Sequence, residues 1–385
     1  MDLTWNQISA RRLERAGLIT TFEGSPADTV AAMCGAHAQV ASAAELSIAL
    51  RLGGGVTRTD VRDDGGLVKT FGPRGTMHLL PGRDLPWWTA ALSAVPRGAS
   101  PMPESARMTE GQTEDVVAAV GDALLAADRE LTVDELTEQV VARTGSWAGD
   151  PVMPAFQQMW PRWRQAISLA GWRGVLCFGR TLHDGKVSYT HPRRLLPAFR
   201  PLESEQDALT ELVRRYLHAY GPATAQDFAL WLAAPRRWAA ELFASLGASG
   251  AIDEVDLEWG GSAWQLPDEE ASPGERPRGV RLLPYFDAYV IACQPRQRLF
   301  PGRAFERALA RGQAGNFPAL LVDGVVAGVW HQRRSGRRVD ITVEALSRLT
   351  RAQRVELDAQ AERVAQILEG LPRLTLAPVT VGPHA

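Results

Sequence analysis

One pattern recurs three times along these 385 residues and limits what they can fold into: Ser42-Ala43-Ala44-Glu45-Leu46, Thr132-Val133-Asp134-Glu135-Leu136 and Thr224-Ala225-Gln226-Asp227-Phe228. A hydroxyl that can accept from the amide three residues on, an acidic side chain that can reach back, and an apolar residue that starts a buried stripe make a capping box. Each box is therefore expected to open a helix. Successive copies lie about 90 residues apart, longer than solenoid periods and of the size of one small domain per copy. Three related modules are implied.

The surroundings of the boxes are also alike. Amphipathic helical segments at 26–33, 113–126 and 203–220 precede them, so the local motif reads helix, turn, helix. Alternating segments around a glycine turn follow, after further helix in the second and third copies. They span 61–76 turning at Asp63-Asp64-Gly65-Gly66, 174–189 turning at Asp184-Gly185, and 255–266 turning at Gly260-Gly261. Apolar-rich runs joined by Asp-Gly or Gly-Gly read as β-hairpins. Helices followed by a hairpin make a winged helix, whose usual work is DNA binding, although three such modules can also serve only to scaffold one another. The rest of the chain differs, with β-like runs at 281–292, 318–329 and 338–343 and a helical stretch at 351–369, expected as a small sheet or barrel capped by a helix. A linker or exposed loop rich in Asp, Glu, Ser, Pro and Gly is expected at 267–277. The fold class is thus α+β, with winged helices at 1–110, 111–200 and 201–270 and a β-rich domain at 278–385.

A net charge of −2 argues against nucleic-acid binding by bulk positive charge, so any such binding must come from a local basic face. The third module is acidic, whereas the tail carries Arg296, Arg298, Arg303, Arg307 and Arg311, then Arg333, Arg334, Arg337 and Arg338 around the turn Ser335-Gly336. Guanidinium groups on a narrow ribbon can reach phosphates or a minor groove where a helix cannot. A solvated hairpin with scattered charge would carry the same residues. The only lysines are Lys69 and Lys186. Cys34, Cys177 and Cys293 are odd in number and far apart, which favours reduced thiols. Nothing near the start reads as a signal peptide, and Asp323-Gly324 interrupts the longest apolar run, 317–330. A cytoplasmic protein without a membrane span is expected. No heptad pattern calls for a dimer, so a monomer bound to double-stranded DNA is the expected assembly.

Zinc-protease, P-loop, dinucleotide and nucleophile-elbow motifs are missing, and no cofactor is called for. Cys34 and His37 have metal-like spacing, but a site needs three or four ligands and none lies nearby. The cluster His37-Ala38-Gln39 falls between a helix and the cap Ser42. Positions two apart diverge on a helix, so these side chains converge only if Ala38 sits in extended or turn backbone. By position alone His37 is by default a satisfied or surface histidine.

The segment Thr70-Phe71-Gly72-Pro73-Arg74-Gly75-Thr76-Met77-His78-Leu79-Leu80-Pro81, with Cys34-Gly35-Ala36-His37-Ala38-Gln39 before it and Leu283-Pro284-Tyr285-Phe286-Asp287-Ala288-Tyr289 after it, resembles the AlkZ-type winged-helix DNA glycosylases. The resemblance runs from about Thr4 to the last helix, and its Arg-Gly-Thr-x-His block is specific. It implies three tandem winged helices and a β-rich C-terminal domain forming a concave, C-shaped DNA-binding surface. It also implies excision of N7-alkylguanines, including bulky lesions made by genotoxic natural products, without a metal. The family's catalytic pair, usually Gln-x-Gln or Gln-x-Asp, falls on His37 and Gln39, with histidine in place of the first glutamine. Arg74, Thr76 and His78 of the specific block are expected to face DNA.

The chemistry suits these residues independently. Alkylation at N7 puts a positive charge on guanine, so the base is already a good leaving group and no strong general acid is required. What remains is to stabilise an oxocarbenium-like sugar and place a water at its anomeric carbon, tasks suited to a neutral imidazole and an amide carbonyl. With two lysines, both in or near expected wings, a Schiff-base mechanism has few candidate nucleophiles. A monofunctional hydrolytic glycosylase is the expected activity. Trp87 and Trp88 are available to stack on a base, yet adjacent tryptophans starting a helix more often pack a core. Two other classes stay open: a non-enzymatic winged-helix regulator, and an enzyme acting on small nucleosides, which would not need the arginine hairpin.

Overall fold

Two of the three capping boxes open helices in the computed structural model. The structure describes residues 2–380 except positions 99, 101, 156–157, 181–185, 268 and 270–276. Thr132 Oγ1 accepts from Glu135 N at 3.3 Å while the Glu135 carboxylate accepts from Thr132 N at 2.8 Å, opening Val133–Thr144. Thr224 and Asp227 repeat the exchange at 3.0 and 3.1 Å ahead of Ala225–Leu232. The Ser42 box does not form. Its helix, Ala41–Ala49, starts one residue earlier with Val40 at the cap and no side-chain cap bond. Glu45, nearly buried, instead accepts from Arg58 Nε at 2.8 Å and from Arg62 Nε and Nη2 at 2.9 Å. Charge-assisted bonds to two guanidinium groups outweigh one neutral amide. They clamp this helix to the next, Arg58–Asp63, which is opened by a box of its own, Thr57 with Asp60.

One compact unit comprises Val68–Leu212 and Ala233–Pro235. Its core lies between the helices Glu110–Ala126 and Val133–Thr144, where Val116, Val120, Leu136, Val140 and Trp163 are all fully buried. Trp163 satisfies its indole by donating to Thr137 Oγ1 at 3.0 Å. Strand Ser188–Thr190 pairs antiparallel with both Leu131–Thr132 and Cys177–Phe178. This is the second hairpin expected from sequence, although its turn at Asp184-Gly185 lies outside the described residues. An extra hairpin, Pro151–Ala155 with Gln158–Pro161, is inserted where further helix was expected. The first hairpin is displaced. Residues 61–63 belong to a helix, and Asp64 Oδ1 accepts from Gly66 N at 2.8 Å, so the acidic-glycine stretch ends a helix instead of turning a hairpin. The strands are Leu67–Phe71 and Met77–Pro81, joined by a tight turn at 72–76. Trp88 is 1% exposed and stacks on Trp87 at 4.6 Å between ring centroids, a packing role.

The other unit comprises Met1–Leu67, Val213–Leu232 and Arg236–Ala385. The third hairpin forms as expected, Asp253–Asp256 with Ser262–Gln265, turning through Gly260 and Gly261 at φ 89° and 78°, where a side chain would be strained. Tyr216, Phe228, Trp231 and Phe243 form an aromatic cluster beneath the helices Ala225–Leu232 and Arg236–Ala248. The C-terminal part is a five-stranded sheet: Val280–Leu283, Ala319–Val322, Val325–Ser335 and Arg338–Ala345 run antiparallel in order, and Leu371–Leu376 adds parallel to the last. Helix Arg351–Ile367 packs on it through buried Leu357, Ala361 and Val364. The expected strand over 281–292 stops at Leu283; Ala288–Ala292 is a helix whose first turn is capped by Asp287, which accepts from Tyr289 N at 3.0 Å.

Candidate active site and nucleic-acid interface

His37 lies in a two-residue strand and Gln39 at the bend that follows it. Helix Pro26–Ala32, opened by Ser25 and Asp28, ends when Cys34 takes φ 51° and Gly35 N returns to Val30 O at 3.0 Å. Ala36–His37 is then a short strand, and helix Ala41–Ala49 begins after Val40. Ala36 and Ala38 are each 1% exposed, His37 is half-buried and Gln39 is exposed. Burial alternates here, so His37 and Gln39, on either side of buried Ala38 in the chain, both stay accessible. Gln39 has no side-chain hydrogen bond among the described residues, which leaves its amide available to a water. Tyr220 donates its hydroxyl to Met33 O, anchoring the turn before the strand.

Sequence reasoning missed what holds the following helix. Arg51, fully buried, makes a bidentate pair with Asp287, 1% exposed, at 2.8 and 2.9 Å, and Ser47 donates to the same carboxylate at 2.7 Å. This joins the helix after Gln39 to the Pro284-Tyr285-Phe286-Asp287 turn, where Phe286 has φ 52°. The one sequence signal was the Leu-Pro-Tyr-Phe-Asp-Ala-Tyr stretch itself, whose aspartate now has a packing role.

In the turn at 72–76, Arg74 is exposed and sits at φ 64°, a left-handed conformation that non-glycine residues rarely adopt. Thr76 is half-buried and donates its hydroxyl to Pro73 O at 3.1 Å. His78 departs from expectation. Its ring is 1% exposed, its Nδ1 lies 2.9 Å from Thr76 O, and burial lowers its pKa to about 4. A Cβ at Gly72 would fall 2.6 Å from this ring, so the glycine is what allows the close approach. His78 is a packing residue of the turn and cannot reach a phosphate. Lys69 lies over the Phe178 ring at 5.1 Å.

The arginine hairpin forms as expected, with Ser335 opposite Arg338 and Gly336 at φ 59° in the turn. Its arginines are not equivalent. Arg334 donates to Leu368 O at 2.9 Å, and Arg338 pairs with Asp340 at 3.1 Å, whereas Arg333 and Arg337 are exposed without a side-chain partner among the described residues. Arg303, already noted in the basic tail, joins Arg348, Arg351 and Arg354, which sequence reasoning missed; all four are exposed and line an open cleft of about 870 Å³.

Residues 30–367 match the protein family described as DNA glycosylase AlkZ-like. The chain belongs to the AlkZ-like DNA glycosylase family. It is 29% identical over 351 residues to the interstrand DNA cross-link repair glycosylase of Streptomyces sahachiroi, an alignment covering 86% of this chain and 88% of that protein. The solved structure of Streptomyces sahachiroi DNA glycosylase AlkZ superposes with a TM-score of 0.80 at 27% identity, over 98% of this chain and 100% of that one. This AlkZ-like protein is therefore an enzyme, a DNA glycosylase that acts on DNA, and the regulator and nucleoside-enzyme readings fall away. No helix among its described residues is long and apolar enough to cross a membrane.

Proposed function

We propose that this glycosylase hydrolyses the N-glycosidic bond of N7-alkylguanine in duplex DNA, bulky natural-product adducts above all, and leaves an abasic site. The observation that carries the reading is the alternation of burial at 36–39, which leaves an imidazole and an amide accessible two residues apart. In the reaction the C1′–N9 bond breaks and its electron pair neutralises the cationic base. A water oxygen bonds to C1′, and its proton passes to the His37 imidazole and then to solvent. The Gln39 carbonyl accepts from that water and faces the developing positive charge, which a neutral imidazole tolerates and an imidazolium would repel. Lys69 lies over the Phe178 ring, a contact that favours its charged, non-nucleophilic form. Three winged-helix modules, at 1–110, 111–200 and 201–270, would hold the duplex beside the 278–385 domain, with the enzyme acting as a monomer in the cytoplasm.

The test is excision from a duplex carrying a defined N7-alkylguanine. His37→Ala and Gln39→Ala should each lower the single-turnover rate by roughly a hundredfold or more while DNA affinity stays nearly intact, because a water-positioning pair acts in the transition state. His37→Gln should keep part of the activity. Affinity falling in step with rate would overturn the assignment.

A further inference from the structure

Directly beyond Gln39 the chain enters the wall of a second, smaller pocket. It has a volume of about 220 Å³, and its lining includes Ser42, Leu46, Tyr285, Trp330 and His331. The first turns of helix Ala41–Ala49, the 284–287 turn locked to that helix by Arg51 and Asp287, and strand Val325–Ser335 build most of it, with Arg58, Pro318 and Leu368 completing the wall. Trp330 is fixed by donating its indole N–H to Leu283 O at 2.8 Å. Most of the wall is apolar, and the nearest cation, Arg58, is already paired with Glu45 at 2.8 Å. A phosphate would find no unpaired charge here. Among the described residues His331 Nδ1 is buried without a hydrogen-bond partner, so one polar group of the lining is left unsatisfied. Burial also lowers the pKa of this ring, so it meets a ligand as a neutral imidazole.

We propose that this pocket receives the substituent carried on N7 of the damaged guanine, and that it favours a planar aromatic group bearing one hydrogen-bonding atom. The assignment rests on the glycosylase reading above. N7 and N9 belong to the same five-membered ring, so a substituent on N7 projects from close beside the bond that breaks. The pocket wall likewise begins at Val40, one residue after Gln39. The volume corresponds to about seven waters at roughly 30 Å³ each, room for one ring system and not for a whole large adduct. A methyl group would leave the pocket nearly empty and Nδ1 unpaired.

The experiment compares release of N7-benzylguanine and N7-methylguanine from one duplex sequence by wild type, Ser42→Phe and His331→Ala, with melting curves to confirm folding. Ser42 is exposed at the mouth, so a phenyl group there fills the pocket without entering the core. The benzyl-to-methyl rate ratio should exceed one in wild type and fall about tenfold in Ser42→Phe, the range in which pocket shape discriminates apolar groups. In His331→Ala it should shift severalfold. A ratio unchanged in both folded variants, or two rates falling in parallel, would overturn the pocket assignment while leaving the glycosylase reading intact. Wild type releasing neither base would overturn the N7-alkylguanine reading, and the pocket's role with it.

Discussion

Replacing Asp287 by alanine removes one carboxylate that accepts from Arg51 at 2.8 and 2.9 Å, from Ser47 Oγ at 2.7 Å and from Tyr289 N at 3.0 Å. The Arg51 guanidinium, 0% exposed, would then be left as an unpaired charge in the interior. Breaking a buried pair from one side costs about 3–5 kcal/mol. At roughly 2 °C per kcal/mol for a chain of this size, the melting temperature of Asp287→Ala should fall by about 6–10 °C. The double variant Arg51→Met with Asp287→Leu should recover most of that loss, because an apolar pair of similar volume leaves no charge to desolvate. Circular dichroism melts of wild type, both single variants and the double variant make the cycle. Excision measured well below the melting transition should also suffer in Asp287→Ala, since the pair positions the helix that follows Gln39. A melting temperature within about 2 °C of wild type for Asp287→Ala would refute the reasoning.

Removing Arg333, Arg334, Arg337 and Arg338 together should weaken binding to damaged and undamaged duplex alike, with the slope of log affinity against log salt falling by roughly 0.9 for each phosphate that is no longer neutralised. Arg333→Ala with Arg337→Ala alone should account for most of it, because the other two arginines are engaged within the protein; anisotropy titrations over a salt series with an unchanged slope would move the DNA elsewhere. His78, with a folded pKa of about 4 against about 6.5 unfolded, stays neutral in the native state while the unfolded chain takes up a proton. Its contribution is fully present above pH 6.5 and is lost as pH falls toward 4, by about 3 kcal/mol in total, so melting temperature against pH should be steeper for wild type than for His78→Asn. Equal slopes would show that the ring does not titrate as buried. Uracil and 8-oxoguanine should not be released from the same duplex that yields N7-alkylguanine, as both are neutral leaving groups; release of uracil would require a general acid.

Much of the helical and hairpin layout was legible because its causes are local. The Thr132 and Thr224 boxes act over three residues, and Gly260-Gly261 supplies its own positive φ, so their neighbours in sequence were enough. The same local signal at Ser42 failed for a physical reason. Glu45 found Arg58 and Arg62, 13 and 17 residues away, and two charged donors outweigh a cap amide only once the fold has brought them near. His37 and Gln39 could be placed in a short turn from sequence, but their accessibility beside buried Ala36 and Ala38 is a property of what packs against them. His78 stands in the same block as Arg74, yet one side chain points inward and the other outward. The block itself carries no sign of which. The pair between Arg51 and Asp287 spans 236 residues, and the pocket beside Gln39 draws its walls from stretches far apart in the sequence, so neither leaves a periodic trace along the chain. Short-range hydrogen bonding and glycine conformation belong to the sequence by itself; which charges are buried together, and which side chains the solvent can reach, were settled only when distant segments met.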